Sequence, residues 1–402
     1  MSIISVSTNR PLAGAEPSGR PVAIWLLVCC AMIFAMVVIG GITRLTWSGL
    51  SITEWRPVMG AVPPLSGADW QAEFAKYQQT SQYRLLNTGM SLGEFKTIFL
   101  WEYVHRLWGR LIGFVYLLPF LYFLVRRQIP RRLAWPLAGI FALGAVQGAV
   151  GWWMVKSGLA DRIEVSQYRL TAHLALALVI YAATLWTALG LFESPSPALR
   201  EREGPTPLAW EGEGPVARVE GSPPHPALSP HSGGEGRKIL CSAIMWPRAA
   251  EGVLCLISLT IVAGGFVAGL NAGLTYNTFP LMDGHFVPTG YGQLAPFARN
   301  WFENIAAVQF DHRLLAETTV AAVIVLWLIG RRAALPRGPQ LALHALLAAA
   351  LLQVSLGIST LLLVVPVPLA AAHQAGAVLL LTTAIIFRHK LRNVPSAAPL
   401  TG

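Results

Sequence analysis

The sequence predicts an all-α integral membrane protein with eight transmembrane helices, arranged as two four-helix bundles related by a pseudo-two-fold axis. Composition, the long apolar stretches and an internal repeat support this prediction. Of the 402 residues, 54% are hydrophobic and 12% are charged, whereas a soluble domain carries about 25% charged residues. The net charge of +10 comes from Lys and Arg clustered between apolar stretches. Such clusters are topology signals, so no nucleic-acid partner is predicted.

Eight apolar stretches are each long enough to cross a bilayer, which takes about 20 residues. The first has no clean small-residue cleavage site, so we interpret it as a retained helix rather than a signal peptide. Membrane lipid is therefore an expected partner of the chain. The predicted spans are 22–42, 98–124, 133–155, 169–192, 250–270, 305–329, 339–363 and 369–388.

Charge in the loops predicts the orientation of the chain. RRQIPRR (126–132), RRAALPR (331–337) and RHKLR (388–392) are basic and alternate with loops of mixed charge. Because basic loops remain in the cytoplasm, we expect both terminal tails, 1–21 and 389–402, to lie there as well. The mixed loops then face outward.

A polar segment between the fourth and fifth spans divides the chain into two domains. Residues 193–249 are rich in Pro, Gly and Glu, which predicts a disordered cytoplasmic insert that cannot form a core. This insert separates an N-terminal four-helix bundle at 22–192 from a C-terminal bundle at 250–388.

The two predicted bundles repeat one another in sequence. GGITRLTWSGL (40–50) matches GGFVAGLNAGL (264–274), and EYVHRLWG (102–109) matches QFDHRLLA (309–316). The third and fourth spans match the seventh and eighth in the same way. Since four spans restore the starting side of the membrane, equivalent helices run in the same direction. The pseudo-two-fold axis should therefore lie along the membrane normal.

Four histidines hold repeat-equivalent positions near the outer ends of the even-numbered spans: His105, His173, His312 and His373. Two inward-facing histidines on neighbouring helices of a bundle are the usual means of holding a haem iron from both faces. Zinc or copper would need further ligands, which neither half offers at ligand spacing. The alternative is that they are hydrogen-bonded core histidines, which four matched positions favour less than a single position would. Spacing leaves open whether the pairs form within or across the halves.

The two halves differ beside the first histidine of each pair. Glu102 lies three residues before His105, and Gln309 lies three residues before His312, so each shares a helix face with its histidine. One interpretation gives the N-terminal site a reaction, with Glu102 accepting a proton or stabilising positive charge, and the other site electron transfer. The alternative is a structural ion pair between Glu102 and Arg106. A contact from Arg106 to a haem propionate is also compatible with the pattern.

Five motifs together resemble those of a known family. They are GGITRLTWSGLSITEWRPVMGAVPPLS (40–66), EFKTIFLWEYVHRLWGRLIG (94–113), GLNAGLTYNTFPLMDGHFVP (269–288), VQFDHRLLA (308–316) and HQAGA (373–377). They are similar to motifs of haem A synthases of the proteobacterial and mitochondrial branch. The resemblance implies an oxidoreductase of the bacterial inner membrane. It would oxidise the C8 methyl group of haem O to a formyl group, with water as the oxygen source, giving haem A for cytochrome c oxidase.

The same resemblance implies roles for individual residues and partners. It assigns Glu102 as the catalytic carboxylate, His105 and His173 as the residues that flank the iron of the substrate haem, and His312 and His373 as axial ligands of a haem b cofactor. The implied partners are the substrate haem O, a haem O synthase, assembly factors of cytochrome c oxidase and an electron acceptor that the sequence does not identify.

Two other functions fit part of the pattern. A di-haem b-type membrane electron-transfer protein would explain the histidines but requires equivalent halves, and Glu102 has no carboxylate counterpart at Gln309. A transporter built from parallel repeats would place its polar residues near the bilayer midplane. The histidines instead lie near the outer surface.

Overall fold

The chain is helical in the part that the structure describes. The structure, a computed structural model, describes residues 19–54, 62–161, 163–193, 233–333 and 335–393. Eight of its helices are long and apolar enough to cross a membrane, and those residues form no β-strand. The predicted fold class is confirmed. The membrane helices are α1 (Arg20–Leu45), α4 (Leu92–Val125), α5 (Arg131–Asp161), α6 (Gln167–Glu193), α7 (Gly233–Gly269), α9 (Ile305–Gly330), α10 (Arg337–Leu362) and α11 (Val367–Lys390).

The membrane helices lie where the hydropathy pattern predicts them, apart from the start of α7. This helix begins at Gly233, so the C-terminal part of the predicted insert is helical. Trp246 is buried on this N-terminal extension of α7, and its ring lies beside Gly330 at the end of α9. This contact holds the extension, which hydropathy alone does not predict, against α9. The rest of the predicted disordered insert, residues 194–232, lies outside the described residues.

Each half of the chain closes into a ring of four helices. In the N-terminal half, α1 and α5 each pack on both α4 and α6. In the C-terminal half, α7 and α10 each pack on both α9 and α11. This arrangement fits the prediction of two four-helix bundles.

Contacts between the bundles have the symmetry that a pseudo-two-fold axis requires. Helix α1 packs on α11, α6 packs on α7, and α6 packs on α11. Exchanging the halves turns α1 into α7 and α6 into α11. The first contact then becomes the second, and the third becomes itself.

The repeat also fixes the backbone where the first helix of each bundle ends. Trp47 follows α1 with φ 57°, and Asn271 follows α7 with φ 52°. The two residues hold the same position in the repeat. A residue in the left-handed region is a common way to end a helix. The chain therefore turns into the following loop in the same way after α1 and after α7.

Two short helices lie in the loop between α1 and α4, which is the predicted first outer loop. They are α2 (Gly67–Tyr77) and α3 (Ser81–Leu86). Tyr77 of α2 stacks on Phe95 of α4, with ring centroids 5.2 Å apart. A Ser66 capping box begins α2, and a Ser91 capping box begins α4, so local signals marked helices in a region that hydropathy classed only as a loop. The remaining short helix, α8 (Asn300–Glu303), precedes α9.

An ion-pair cluster joins the two bundles at their outer ends. The Arg44 guanidinium, at the end of α1, lies 2.6 Å from the Glu164 carboxylate in the loop between α5 and α6. The same side chain donates to the carbonyl oxygens of Ala268 and Gly269 at the end of α7. The Asn271 amide also donates to Glu164, at 2.9 Å. Groups from both halves therefore share one carboxylate.

Replacing Arg44 with Met should lower the free energy of unfolding by about 2 kcal/mol, because it leaves a mostly buried carboxylate without its cation. Arg388→Met is the matched control. Arg388 pairs with Glu251, whose side chain is 52% exposed, so its loss should cost less than about 1 kcal/mol. Thermal unfolding of the detergent-solubilised variants measures both. Equal effects would show that the cluster at Glu164 adds nothing beyond a surface ion pair.

Candidate functional site

The four predicted histidines lie in two pairs, one in each bundle. His105 on α4 and His173 on α6 belong to the N-terminal ring of helices, and His312 on α9 and His373 on α11 belong to the C-terminal ring. None of the four residues is exposed. The packing therefore groups the histidines within each half, which was one of the two arrangements that spacing left open.

The two histidines of a pair come from helices that lie diagonally across their bundle. Helices α4 and α6 are both packed on α1 and α5, and α9 and α11 are both packed on α7 and α10. The expectation of neighbouring helices is corrected. Neighbours pack side by side at about 8–10 Å between axes, whereas diagonal helices are separated by the bundle core. The histidines of a pair thus come from opposite corners of their ring of four helices.

Each imidazole keeps one ring nitrogen without a protein partner. No hydrogen bond reaches Nε2 of these rings within the described ranges. In the C-terminal bundle Nδ1 is engaged: His312 Nδ1 lies 3.1 Å from the Thr260 carbonyl oxygen, and His373 Nδ1 lies 3.2 Å from the Gln353 amide. In the N-terminal bundle both Nδ1 atoms are buried without a partner. The two pairs therefore differ in how firmly their rings are oriented.

The Glu102 carboxylate is buried and accepts hydrogen bonds on both oxygens. One oxygen accepts from the Ser51 hydroxyl at 2.8 Å and from the Ile52 backbone N–H at 2.7 Å. The other accepts from the Arg106 guanidinium, with Nε 3.0 Å away. The ion pair offered by the sequence is present, and the first outer loop fixes the carboxylate's orientation. Gln309, its repeat counterpart, is equally buried but carries an amide whose Oε1 has no partner.

Two arginines fasten the outer loops to the bundles in the same way. Arg106 and Arg313 each directly follow a histidine of the second helix in their half. Each guanidinium donates to the carbonyl oxygens of two residues in the loop after the first helix. These acceptors hold the same positions in the repeat: Ile52 and Glu54 for Arg106, and Tyr276 and Thr278 for Arg313. Both arginines therefore hold a loop by its backbone, and Arg106 also pairs with Glu102.

Comparison with known proteins decides the family. The profile of the COX15-CtaA family, described as "Cytochrome oxidase assembly protein", matches residues 23–212 and 237–385. The chain belongs to this family. A protein named "Heme A synthase" from Nitrosospira multiformis is 52% identical over 93% of this chain and 94% of its own length. One from Rhodospirillum centenum is 48% identical over 98% and 94%. The human "Heme A synthase COX15" is 42% identical over 97% and 86%.

Sequence reasoning missed four glycines of this COX15-CtaA protein that lie against the histidine rings. The repeat contained a signal for them, because its motifs align Gly40 with Gly264 and Gly151 with Gly357. Their role depends on which helix faces which ring, and that is a property of the packing. The four residues are Gly40, Gly151, Gly264 and Gly357.

Helices α4 and α5 of the N-terminal bundle are less buried than their counterparts α9 and α10. In the most apolar stretch of each helix, 11% of the residues are buried in α4 and in α5, compared with 22% in α9 and 28% in α10. Four glycines of α4 and α5 have no atom within 4 Å of a Cβ position, where the C-terminal half carries Val or Ala. The pairs are Gly113 and Val320, Gly139 and Ala345, Gly144 and Ala350, and Gly148 and Val354.

Removing either arginine should loosen only its own outer loop. Arg106→Leu should speed amide hydrogen exchange in residues 48–54 by roughly tenfold or more, because hydrogen bonds from a charged donor contribute about 1.5–3 kcal/mol. Residues 275–279 should stay protected. Arg313→Leu should produce the reverse pattern, so each variant is the control for the other. Exchange followed by mass spectrometry in detergent measures both segments, and loosening of both loops in either variant would contradict the assignment.

Proposed function

We propose that this chain is a haem A synthase, an oxidoreductase that converts the C8 methyl group of haem O to a formyl group. One observation carries the proposal. Two matched histidine pairs keep Nε2 free on helices that lie diagonally across a bundle, and among the described residues only the N-terminal pair has a fully buried carboxylate one helical turn away, at Glu102. Imidazoles on diagonal helices suit a haem iron, which takes one axial ligand on each face. The relatives named "Heme A synthase" support the same function.

The C-terminal bundle is the proposed site of haem b, with His312 and His373 as axial ligands. The Thr260 carbonyl accepts from His312 Nδ1, which leaves the Nε2 lone pair for iron. Turning the Gln353 amide lets its unpartnered Oε1 accept from His373 Nδ1 in the same way. Such partners fix the tautomer and orientation of a ligating histidine, which suits a resident cofactor. Haem b bound there supplies one-electron redox chemistry.

The N-terminal bundle is the proposed site of the substrate haem O, between His105 and His173. Both Nδ1 atoms lack a partner, so these rings are less firmly oriented. Helices α4 and α5 are also less buried than α9 and α10. A substrate has to enter and leave, whereas a cofactor stays, and both features suit exchange. The same difference disfavours a di-haem b-type electron-transfer protein, which needs equivalent halves.

The proposed reaction adds water to an oxidised methyl carbon. In balance, R–CH3 and H2O give R–CHO, four protons and four electrons. Glu102 lies one helical turn before His105, and Ser51, Ile52 and Arg106 hold its carboxylate in one orientation. A fixed anion stabilises positive charge that develops as the carbon loses electrons. With both oxygens already accepting hydrogen bonds, this role is favoured over direct proton removal.

The proposed reaction also defines partners and place. A haem O synthase supplies the substrate, assembly factors of cytochrome c oxidase receive haem A, and an electron acceptor takes up the electrons. We place the chain in the bacterial inner membrane with both termini in the cytoplasm. The support is the charge of 126–132, 331–337 and 388–392, since basic segments remain on the cytoplasmic side.

Glu102→Gln should abolish conversion of haem O while the protein still binds haem b. Loss of a charged catalytic group costs about 10²–10⁴-fold in rate, and the amide preserves size. Gln309→Ala is the control in the other bundle and should retain conversion. Haems extracted from expressing cells and separated as b, O and A provide the measurement. A normal yield of haem A from Glu102→Gln would refute the role of the carboxylate.

His312→Ala should remove the low-spin haem b spectrum, because it deletes one axial ligand of the proposed cofactor site. His105→Ala is its counterpart in the N-terminal bundle. That variant should keep the haem b spectrum and lose conversion of haem O. Absorbance spectra of the purified, dithionite-reduced proteins distinguish the two. If His312→Ala keeps the spectrum unchanged, haem b binds elsewhere.

A further inference from the structure

A glycine on a neighbouring helix lies against each of the four histidine rings. The nearest atom to a Cβ built on each glycine is the ring carbon Cε1. The distances from that Cβ position to Cε1 are 3.0 Å for Gly40 with His105, 2.9 Å for Gly151 with His173, 3.0 Å for Gly264 with His312, and 2.9 Å for Gly357 with His373. Carbon atoms separated by normal contacts lie about 3.5–4.0 Å apart, so only glycine lets the ring lie this close to the helix.

Helix packing alone does not explain these glycines. Small residues that serve packing bring two backbones together, whereas here the nearest neighbour is a ring carbon. The next residue in each Gly-Gly motif provides the contrast. Gly41 lies against Gln374, and Gly265 lies against Thr171, both in the opposite bundle. Each motif thus has one glycine for its histidine and one for the interface between bundles.

Contact at Cε1 controls the direction of the ligating nitrogen. Cε1 lies between Nδ1 and Nε2 in the imidazole ring, so a wall at Cε1 limits rotation of both nitrogens. In the C-terminal bundle the same approach brings His312 Nδ1 to 3.1 Å from the Thr260 carbonyl, one turn before Gly264. Gln353, which approaches His373 Nδ1, lies one turn before Gly357. The glycine and the hydrogen-bond partner therefore act on the ring from a single helix.

We propose that Gly40, Gly151, Gly264 and Gly357 are positioning residues that set the ring orientation of the four histidines and so direct each Nε2 toward a haem iron. The proposal rests on the haem assignment made above. A methyl group at any of the four positions displaces the ring edge and turns Nε2 away from its direction. The repeat retains this contact in both bundles, although Nδ1 has a partner in the C-terminal pair and none in the N-terminal pair.

Gly264→Ala and Gly357→Ala test the proposal at haem b, with Gly252→Ala as the matched control. Gly252 lies on the same helix as Gly264 and has no atom within 4 Å of its Cβ position. Loss of ligand orientation typically costs about 10- to 100-fold in metal affinity, so both variants should lose haem b on dilution in detergent. Any haem retained should show shifted low-spin electron paramagnetic resonance g values. Gly252→Ala should match the wild-type protein in both measurements.

His312→Ala, measured alongside, separates the two levels of inference. Loss of haem b in His312→Ala, with affinity and g values unchanged in Gly264→Ala and Gly357→Ala, would overturn the role of the glycines alone. Retention of haem b in His312→Ala would overturn the haem assignment itself.

A double variant addresses folding. Gly264→Ala should lower the thermal midpoint of the haem-free protein by several degrees, because the methyl group meets the ring. The same change in the His312→Ala background should lower it little, since the ring is absent. An equal loss of stability in both backgrounds, or failure of Gly264→Ala to fold in both, would show that Gly264 serves helix packing and would overturn the proposal.

Discussion

Every polar group that this chain carries into the membrane needs a partner within the protein, because lipid offers none. Glu102 meets this constraint through Arg106 and the first outer loop, and Arg44 meets it through Glu164 and the end of α7. These contacts join helix ends to loops and one bundle to the other. The four histidines are exceptions, since each ring is held in place by its neighbours while its Nε2 has no protein partner.

The two bundles share a scaffold and differ in what surrounds the histidines. The arginine contacts with the outer loops, the left-handed residues Trp47 and Asn271, and the glycines at the rings occur in both halves. Three features differ between the halves: the buried carboxylate at Glu102, the hydrogen-bond partners of Nδ1, and the burial of the second and third helix of each bundle. In the proposed function, the duplicated scaffold would hold two haems. The differences around it would suit a resident cofactor in one half and an exchanging substrate in the other.

The interface between the bundles determines how the two proposed sites sit relative to one another. The proposed passage of electrons from the substrate haem to haem b would need a fixed geometry between the halves, which the contacts among α1, α6, α7 and α11 supply. The Gly-Gly motifs contribute directly, since Gly41 and Gly265 admit side chains of the opposite bundle. The cluster around Glu164 closes the same interface at its outer end. Each Gly-Gly motif thus contacts a histidine ring with one glycine and the opposite bundle with the other.

The sequence by itself determined the all-α membrane fold, the spans, the repeat, the four histidines and the asymmetry between Glu102 and Gln309. These follow from hydropathy and from alignment of the halves, which are properties of the chain read in one dimension. Helix α2 of the first outer loop and the start of α4 were readable from the capping boxes at Ser66 and Ser91, but the packing of α2 on α4 was not.

Only the tertiary structure decided that the histidines pair across diagonals, that Arg106 contacts Glu102 and backbone carbonyls, and that Gly40 and its counterparts lie against the rings. These facts depend on the rotation of each helix about its axis and on the identity of its neighbours. Apolar helices in lipid carry little surface polarity to mark that rotation, because lipid and core favour the same side chains. Contacts across the assembled bundle therefore determine the rotation and the neighbours of each helix, which the periodicity of the sequence does not.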